Sequence, residues 1–235
     1  MLAWLVLHLK AAETSAVLVG WIVLAGAVIC LAEASYMLWS SRVGKLRERE
    51  RILDLAWIHE GDQVLDVGCG RGLLLNACAR RLVTGKATGA DIWSTHDQSG
   101  NGPEATLENA RREGVADRVT IVTADARSLP FPDGAFDVVI SNIALHNIPD
   151  RKGRTQAVLE IARVLRTGGR CALSDLRYAA QYADVLRKVG FSDVRTAGPH
   201  LLIFPPVWIA LGRKGGAQSL PPESAPQGLE EAGSN

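Results

Sequence analysis

Gln63-Val64-Leu65-Asp66-Val67-Gly68-Cys69-Gly70-Arg71-Gly72, followed by Leu73-Leu74-Leu75, is the stretch whose reading decides the fold. Val64 to Val67 is a short apolar run holding one acid, with Gly61-Asp62 before it and glycines after it, as in a buried parallel strand that runs straight into a turn. Three glycines at alternate positions let the backbone reverse tightly and let a ligand approach where no Cβ stands. The Leu-rich segment from Leu73 to Leu82 has helical spacing, and a helix there aims its unpaired N–H groups at that ligand.

The dinucleotide fingerprint places a third glycine three residues after the second, where this chain has Leu73. What stands here is G-x-G-x-G with an acid, Asp66, two residues before the first glycine. This arrangement closely resembles the first motif of the class I S-adenosylmethionine-dependent methyltransferases.

Working outward toward the C-terminus, Lys86 to Asp91 reads as a second strand ending in an acid, 19 residues past Gly72. An acid about 20 residues beyond such a loop is where a nucleoside ribose is held, because a carboxylate accepts both protons of a diol. A polar loop from Trp93 to Pro103 leads to a helix near Glu104–Glu113. Trp93 either closes over a cofactor or packs on its own loop. Val119 to Val122 is a third strand, followed by Asp125-Ala126, the turn Leu129-Pro130-Phe131, and Phe136-Asp137 opening a fourth strand that reaches Asn142. Gln156 to Leu165 has helical spacing with Thr167-Gly168-Gly169 as its stop, Arg170 to Leu173 is a fifth strand, and Tyr178 to Val189 a further helix. Phe191–Thr196 and Val207–Leu211 are the last two strands. Residues 215–235 are rich in Pro, Gly, Ser and Glu and read as disordered.

The resemblance is most specific around Asp125, Leu129-Pro130-Phe131 and Phe136-Asp137, and again at Glu160 to Gly169, where Thr167 stands for the family's usual proline. Over residues 45–214 the chain is similar to the small-molecule group (types 11 and 25) of these methyltransferases. It implies an α/β fold: a Rossmann-like seven-stranded sheet with helices on both faces, the last two strands antiparallel. It also implies S-adenosyl-L-methionine as cofactor. On the resemblance, Gly68 and Cys69 hold the methionine moiety through backbone atoms, Asp66 supports its amino group, Asp91 takes the ribose and Asp125 the adenine amino group. Ala126 offers its N–H to the ring, and Gly70, Gly72, Ile92 and Asn142 complete the set. For each acid a structural role stands beside this one: Asp66 as a turn cap, Asp137 as a loop orienter. His146, just past the fourth strand, is the candidate general base, of use only if the acceptor carries a proton that must leave. A nucleotide-dependent oxidoreductase fails on the displaced glycine.

Toward the N-terminus the chain changes character. Residues 14–32 are uncharged, and Val17 to Leu31 is almost wholly apolar. About 19 helical residues cover roughly 28 Å, close to a bilayer's hydrocarbon thickness. Tyr36 and Trp39 follow as interface anchors, and Met1 to Leu9 is apolar but too short to span. Arg42, Lys45, Arg47, Arg49 and Arg51 come next, against Lys10 upstream, which places the residues after the span in the cytoplasm. A buried core helix and a signal peptide, with Ala32-Glu33-Ala34 as cleavage site, compete with this reading. The basic cluster on the far side of the apolar run favours a single-pass anchor.

The expected organisation is an anchor over 1–41 with its span near 14–40, an amphipathic connecting helix over 42–60, a cofactor-binding domain over 61–214 and a tail over 215–235. In the connecting helix Leu46, Ile52, Leu53, Ala56 and Trp57 gather on one face, which covers the sheet edge. A net charge of +1 excludes a basic field for nucleic acid. Cys30, Cys69, Cys78 and Cys171 lack C-x-x-C spacing and read as buried free thiols, with neither a metal site nor a disulfide framework indicated. Leu201 to Ile209 is a nearly continuous apolar stretch where the family has a polar hairpin; it is either core or a patch facing lipid. Two functions stay open on the residues alone: a membrane-anchored methyltransferase acting on a small, lipophilic acceptor, and a cofactor-binding scaffold without turnover.

Overall fold

The computed structural model describes residues 1–94 and 100–215, without the side chains of residues 2, 3, 5–14 and 16. The unstructured-tail reading for 216–235 and the middle of the loop after Trp93 lie outside the described residues. Seven strands form one sheet: β1 (Gln63–Val67), β2 (Lys86–Asp91), β3 (Val119–Thr123), β4 (Phe136–Asn142), β5 (Leu165–Asp175), β6 (Phe191–His200) and β7 (Val207–Lys214). Their order is β3-β2-β1-β4-β5-β7-β6. β1 to β5 run parallel, while β7 lies antiparallel between β5 and β6.

The helices are α1 (Leu2–Trp39), α2 (Lys45–Leu55), α3 (Leu73–Arg81), α4 (Pro103–Arg112), α5 (Arg151–Val164) and α6 (Ala179–Lys188). On one face of the sheet Ile52, Leu53 and Ala56, at the end of α2, pack with Leu74, Leu75 and Cys78 of α3 and Ala110 of α4. On the other face Val158 and Ile161 of α5 pack with Tyr182 and Leu186 of α6. Inner strands buried on both sides explain why Val64–Val67 and Val138–Ile140 read as continuous apolar runs.

Two of the motifs hold each other. Glu160 accepts from the Leu129 N–H at 2.8 Å, and the Arg163 guanidinium donates to the Leu129 and Phe131 carbonyls at 2.9 and 2.8 Å. The Leu-Pro-Phe turn is thus clamped to α5. Asp137 accepts from the Gln63 N–H at 2.6 Å and pairs with Arg166, stitching β4 to the start of β1 rather than orienting a loop at the site.

Several expected boundaries move. α5 ends at Val164, and the chain from Leu165 is already strand, so Thr167-Gly168-Gly169 lies inside β5 rather than stopping a helix. Phe136 pairs with Leu165 across a register shift, and this edge contact outweighs the helical pattern. α2 lies on the face of the sheet against α3, not over its edge. Leu46, in the first turn of α2, is exposed, and so is Trp57, because α2 stops at Leu55 and Trp57 turns outward with φ 53°. Cys69, Cys78 and Cys171 are buried thiols, but Cys30 is exposed on α1.

α1 is apolar on all sides, and its large apolar side chains from Val17 to Leu38 stand exposed. It is long and apolar enough to cross a membrane. Met1 aside, the first residues are continuous with it instead of forming a separate segment. α1 runs through a π-helical turn, Ser40–Gly44, into α2. This junction is pinned to the chain between β6 and β7. Ser40 Oγ accepts from the Phe204 N–H at 2.7 Å, the Tyr36 hydroxyl donates to the Leu201 carbonyl, and the Tyr36 and Phe204 rings meet edge to face at 5.6 Å. A Cβ on Gly44 would stand 1.8 Å from the Leu202 carbonyl oxygen. Glu48, fully buried, faces Arg51 at 3.6 Å and His200 at 3.7 Å, and burial raises its pKa.

Gly44→Val therefore forces two backbones apart. We expect a loss of roughly 1–3 kcal/mol by the usual cost of overpacking, read as a lowered Tm, and faster proteolytic cleavage between residues 200 and 207. An unchanged Tm with unchanged cleavage contradicts the close contact.

Candidate active site

The parallel strands of an open α/β sheet end at a common edge, and ligands bind there where the strand order reverses. Here that reversal lies between β1 and β4, with β2 beyond β1. A cavity of about 820 Å³ opens at this edge. Gly68, Cys69, Gly70, Asp91, Ile92, Asp125, Ala126 and Asn142 all line it. Asp66 and Gly72 do not: Asp66 is buried at the end of β1, 2 % exposed, and Gly72 caps α3.

The loop is held from two sides, by β2 and by α4. Gly68 and Cys69 donate to the Ala90 carbonyl at 2.7 and 3.3 Å, and Gly70 donates to Asp91 at 2.8 Å. From α4, Thr106 Oγ1 donates to the Gly70 carbonyl at 2.7 Å and Asn109 to the Arg71 carbonyl at 2.9 Å. Gly68 has φ 73°, and a Cβ there would lie 2.2 Å from the Ala144 Cβ, so the position tolerates only glycine. Thr106 and Asn109 gave no signal in the sequence, since they meet the loop across more than 30 residues of chain.

Three acids line up along this edge in different electrostatic states. Asp66 has its pKa pushed up to about 8, first by burial and then by Asp91, with the Leu75 N–H working the other way. Its Oδ2 has no hydrogen-bond partner, and neither has Asn142 Oδ1. Asp91 accepts from Gly70 and, at 2.6 Å, from the Trp93 N–H. Asp125 is gripped by Arg127 through both oxygens, which holds its carboxyl below the usual range. The Trp93 ring packs against the core and donates to Thr123 Oγ1 at the end of β3 at 2.8 Å, so it is tied to the sheet instead of packing on its own loop or closing over the cavity. Two buried acceptors without donors beside a glycine-rich loop suit a ligand that carries an ammonium group. The residues present fit S-adenosylmethionine.

His146 stands elsewhere. Its neighbours Leu145 and Asn147 line the cavity, but His146 does not. Its N–H donates to Asp175 at 2.9 Å, and its Nδ1 lies 2.6 Å from the other Asp175 oxygen. Asp175, 1 % exposed, also accepts from the Leu176 N–H at 2.8 Å and from the Tyr182 hydroxyl at 3.0 Å. Burial beside that carboxylate pushes the Tyr182 phenol up, so it stays protonated as a donor. The fold thus joins Asp175 and Tyr182 to His146.

Comparison with known proteins agrees. Residues 65–173 match the family described as "Methyltransferase domain". Three relatives stand out: methyltransferase GfsG of Streptomyces halstedii, 36 % identical over 64 % of this chain and 51 % of that protein; 27-O-demethylrifamycin SV methyltransferase of Amycolatopsis mediterranei, 37 % over 55 % and 44 %; and ubiquinone/menaquinone biosynthesis C-methyltransferase UbiE of Shewanella halifaxensis, 32 % over 58 % and 51 %. The chain spans about half the length of these relatives. Among solved structures, an S-adenosylmethionine-dependent methyltransferase fold from Methanococcus maripaludis superposes with a TM-score of 0.58 at 18 % identity, over 81 % of this chain and 93 % of that one. The [4+2]-cyclase SpnF does so at 0.60 and 21 %, over 72 % and 81 %. A shared fold with a protein named for cyclisation shows the architecture alone.

The fold and the glycine-loop site define a class I α/β nucleotide-cofactor domain. Residues 65–173 carry the sequence of a methyltransferase domain, and the cofactor that such a domain and this site imply is S-adenosylmethionine.

We expect S-adenosylhomocysteine to bind in the micromolar range, and Gly70→Val or Asp91→Ala to weaken it sharply in calorimetry. Below about pH 8 an empty site holds Asp66 as the neutral acid. An ammonium gains only from the carboxylate, so affinity should rise from pH 6 toward pH 8.5 with release of a proton to buffer. Asp66→Asn should flatten that dependence; a steep rise persisting in the variant disproves the assignment.

Proposed function

We propose that this chain is a membrane-anchored methyltransferase that moves a methyl group from S-adenosylmethionine to a small, lipophilic acceptor by in-line displacement, with its catalytic domain on the cytoplasmic side. One observation carries the lipophilic part. The chain between β6 and β7 emerges at the edge of the sheet where the cavity opens, since Trp208 pairs with Asp175 at the end of β5. The end of α1 is fastened to that same chain through Tyr36 and Ser40. An anchor attached at the crevice edge brings the crevice toward the bilayer.

The apolar stretch beside it supports the same reading. Ile203 is core, but Leu201 is 62 % and Phe204 46 % exposed, next to Tyr36 and Trp39. Aromatic rings at the end of an apolar span suit the headgroup level. Arg42, Lys45 and Arg47, all exposed just past the span, support the cytoplasmic side. The small-molecule part draws on relatives whose names refer to a rifamycin and to ubiquinone/menaquinone biosynthesis.

The cofactor supplies a methyl group on a sulfonium, a good leaving group. The protein's task is then positioning and exclusion of water. Asp66, buried behind the cavity lining, supports the amino group, while Asp91 takes the ribose diol and Asp125 the adenine amino group, with the Ala126 N–H toward the ring; Asn142 lines the same cavity. Where the acceptor carries a proton that must leave, His146 is the candidate general base; its ring lies outside the cavity lining, between Leu145 and Asn147, with Nδ1 2.6 Å from Asp175.

Three measurements test the proposal. The full-length protein should remain with membranes after a high-salt wash, and release by salt alone reduces α1 to a peripheral contact. Leu201→Ser with Phe204→Ser should leave S-adenosylhomocysteine affinity intact while reducing methyl transfer into a membrane lipid extract several-fold; equal turnover in the parent and the double variant counts against entry from the bilayer. His146→Ala should lower methyl transfer about 100-fold or more, the usual contribution of a general base, with cofactor affinity unchanged.

A further inference from the structure

The amino-acid end of S-adenosylmethionine carries a carboxylate as well as an ammonium, and the acids already described answer only the ammonium and the nucleoside. Three cationic side chains line the cavity: Lys45, Arg71 and Arg127. Arg127 is committed to Asp125 by hydrogen bonds of 2.6 to 3.0 Å. The Arg71 guanidinium reaches over the chain that follows β2, where a Cβ on Gly100 would lie 3.8 Å from its Nη1. That is the side of Asp91 and the ribose.

Lys45 comes from a different part of the chain. It is the first residue of α2, exposed, and it forms no hydrogen bond or ion pair among the described residues. α2 packs its far end against α3 through Ile52 and Leu53, and the first turn of α3 covers Asp66 through the Leu75 N–H. The backbone on either side of Lys45 is fixed. Gly44 is pressed against the Leu202 carbonyl, Ser40 holds the Phe204 N–H, and Glu48, one turn on, is buried against Arg51 and His200. Glu48 is thereby engaged elsewhere and does not neutralise Lys45.

We infer that Lys45 is a cofactor-binding residue that receives the α-carboxylate of S-adenosylmethionine, so that the segment joining α1 to the domain forms part of the cofactor site. This rests on the cofactor assignment above and adds a residue that lies outside the glycine-loop and acid motifs. A lysine is suited to the task as a compact, mobile point charge on a fixed backbone. The consequence is a physical link: what displaces the π-helical turn after α1 displaces Lys45, and with it the grip on the cofactor.

Calorimetry on the full-length chain in detergent tests this, with S-adenosylhomocysteine and its decarboxylated analogue, which keeps the amine. For the wild type, loss of the carboxylate should weaken binding about tenfold, in line with one charge-assisted contact. Lys45→Ala should weaken S-adenosylhomocysteine to the same extent and leave the analogue unchanged, so that the variant no longer distinguishes the two ligands. Lys45→Arg should retain most of the discrimination. Equal weakening of both ligands by Lys45→Ala, or full discrimination in that variant, overturns the inference while leaving the cofactor site standing. If the wild type binds neither ligand, the cofactor site itself fails, and the inference with it.

Discussion

A buried parallel strand can leave the sheet only at its end, and in this protein β1 is hemmed in on both sides by β2 and β4. Everything at the site depends on that confinement. Asp66 pairs with Gly89 and Asp91 with Thr123, so Asp66, Asp91 and, two residues past β3, Asp125 are staggered strand by strand toward one edge. The loop after β1 has nowhere to turn except across Ala144, at a separation that excludes a side chain on Gly68. Cofactor binding and tight packing of the loop are the same constraint seen from two sides.

The three acids differ because their surroundings differ. Asp66 is buried near a second carboxylate and rises; Asp125 is half-exposed beneath a guanidinium and falls. One edge of the sheet thus holds an acid biased toward its neutral form and another biased toward its charged form.

The N-terminal helix is more than a tether. Its last turn carries Tyr36 and Ser40 into hydrogen bonds with the chain between β6 and β7, and the π-helical turn sets the phase with which α2 continues. With a wider turn inserted, Gly44 and Glu48 face the hairpin while Lys45 faces the cavity. A straight continuation of α1 would rotate these residues relative to one another. The junction therefore fixes both how the domain hangs from the helix and which residues reach the cavity.

The sequence by itself determined the strand–helix alternation, the glycine loop, the acids at 66, 91 and 125 and the apolar N-terminal run, because each is written in contiguous residues with a short period or a fixed local spacing. It misjudged the end of α5, where pairing of Leu165 with Phe136 overrides helical pattern, and the outward turn of Trp57. Only the tertiary structure decided that Leu201 and Phe204 are exposed while Ile203 is core, that Asp175 joins His146 to Tyr182, and that Lys45 lines the same cavity as Gly68. Each of these rests on contacts between segments tens to more than a hundred residues apart. Such contacts follow from how the sheet is ordered and how the helices lie on it, and no local pattern carries that information.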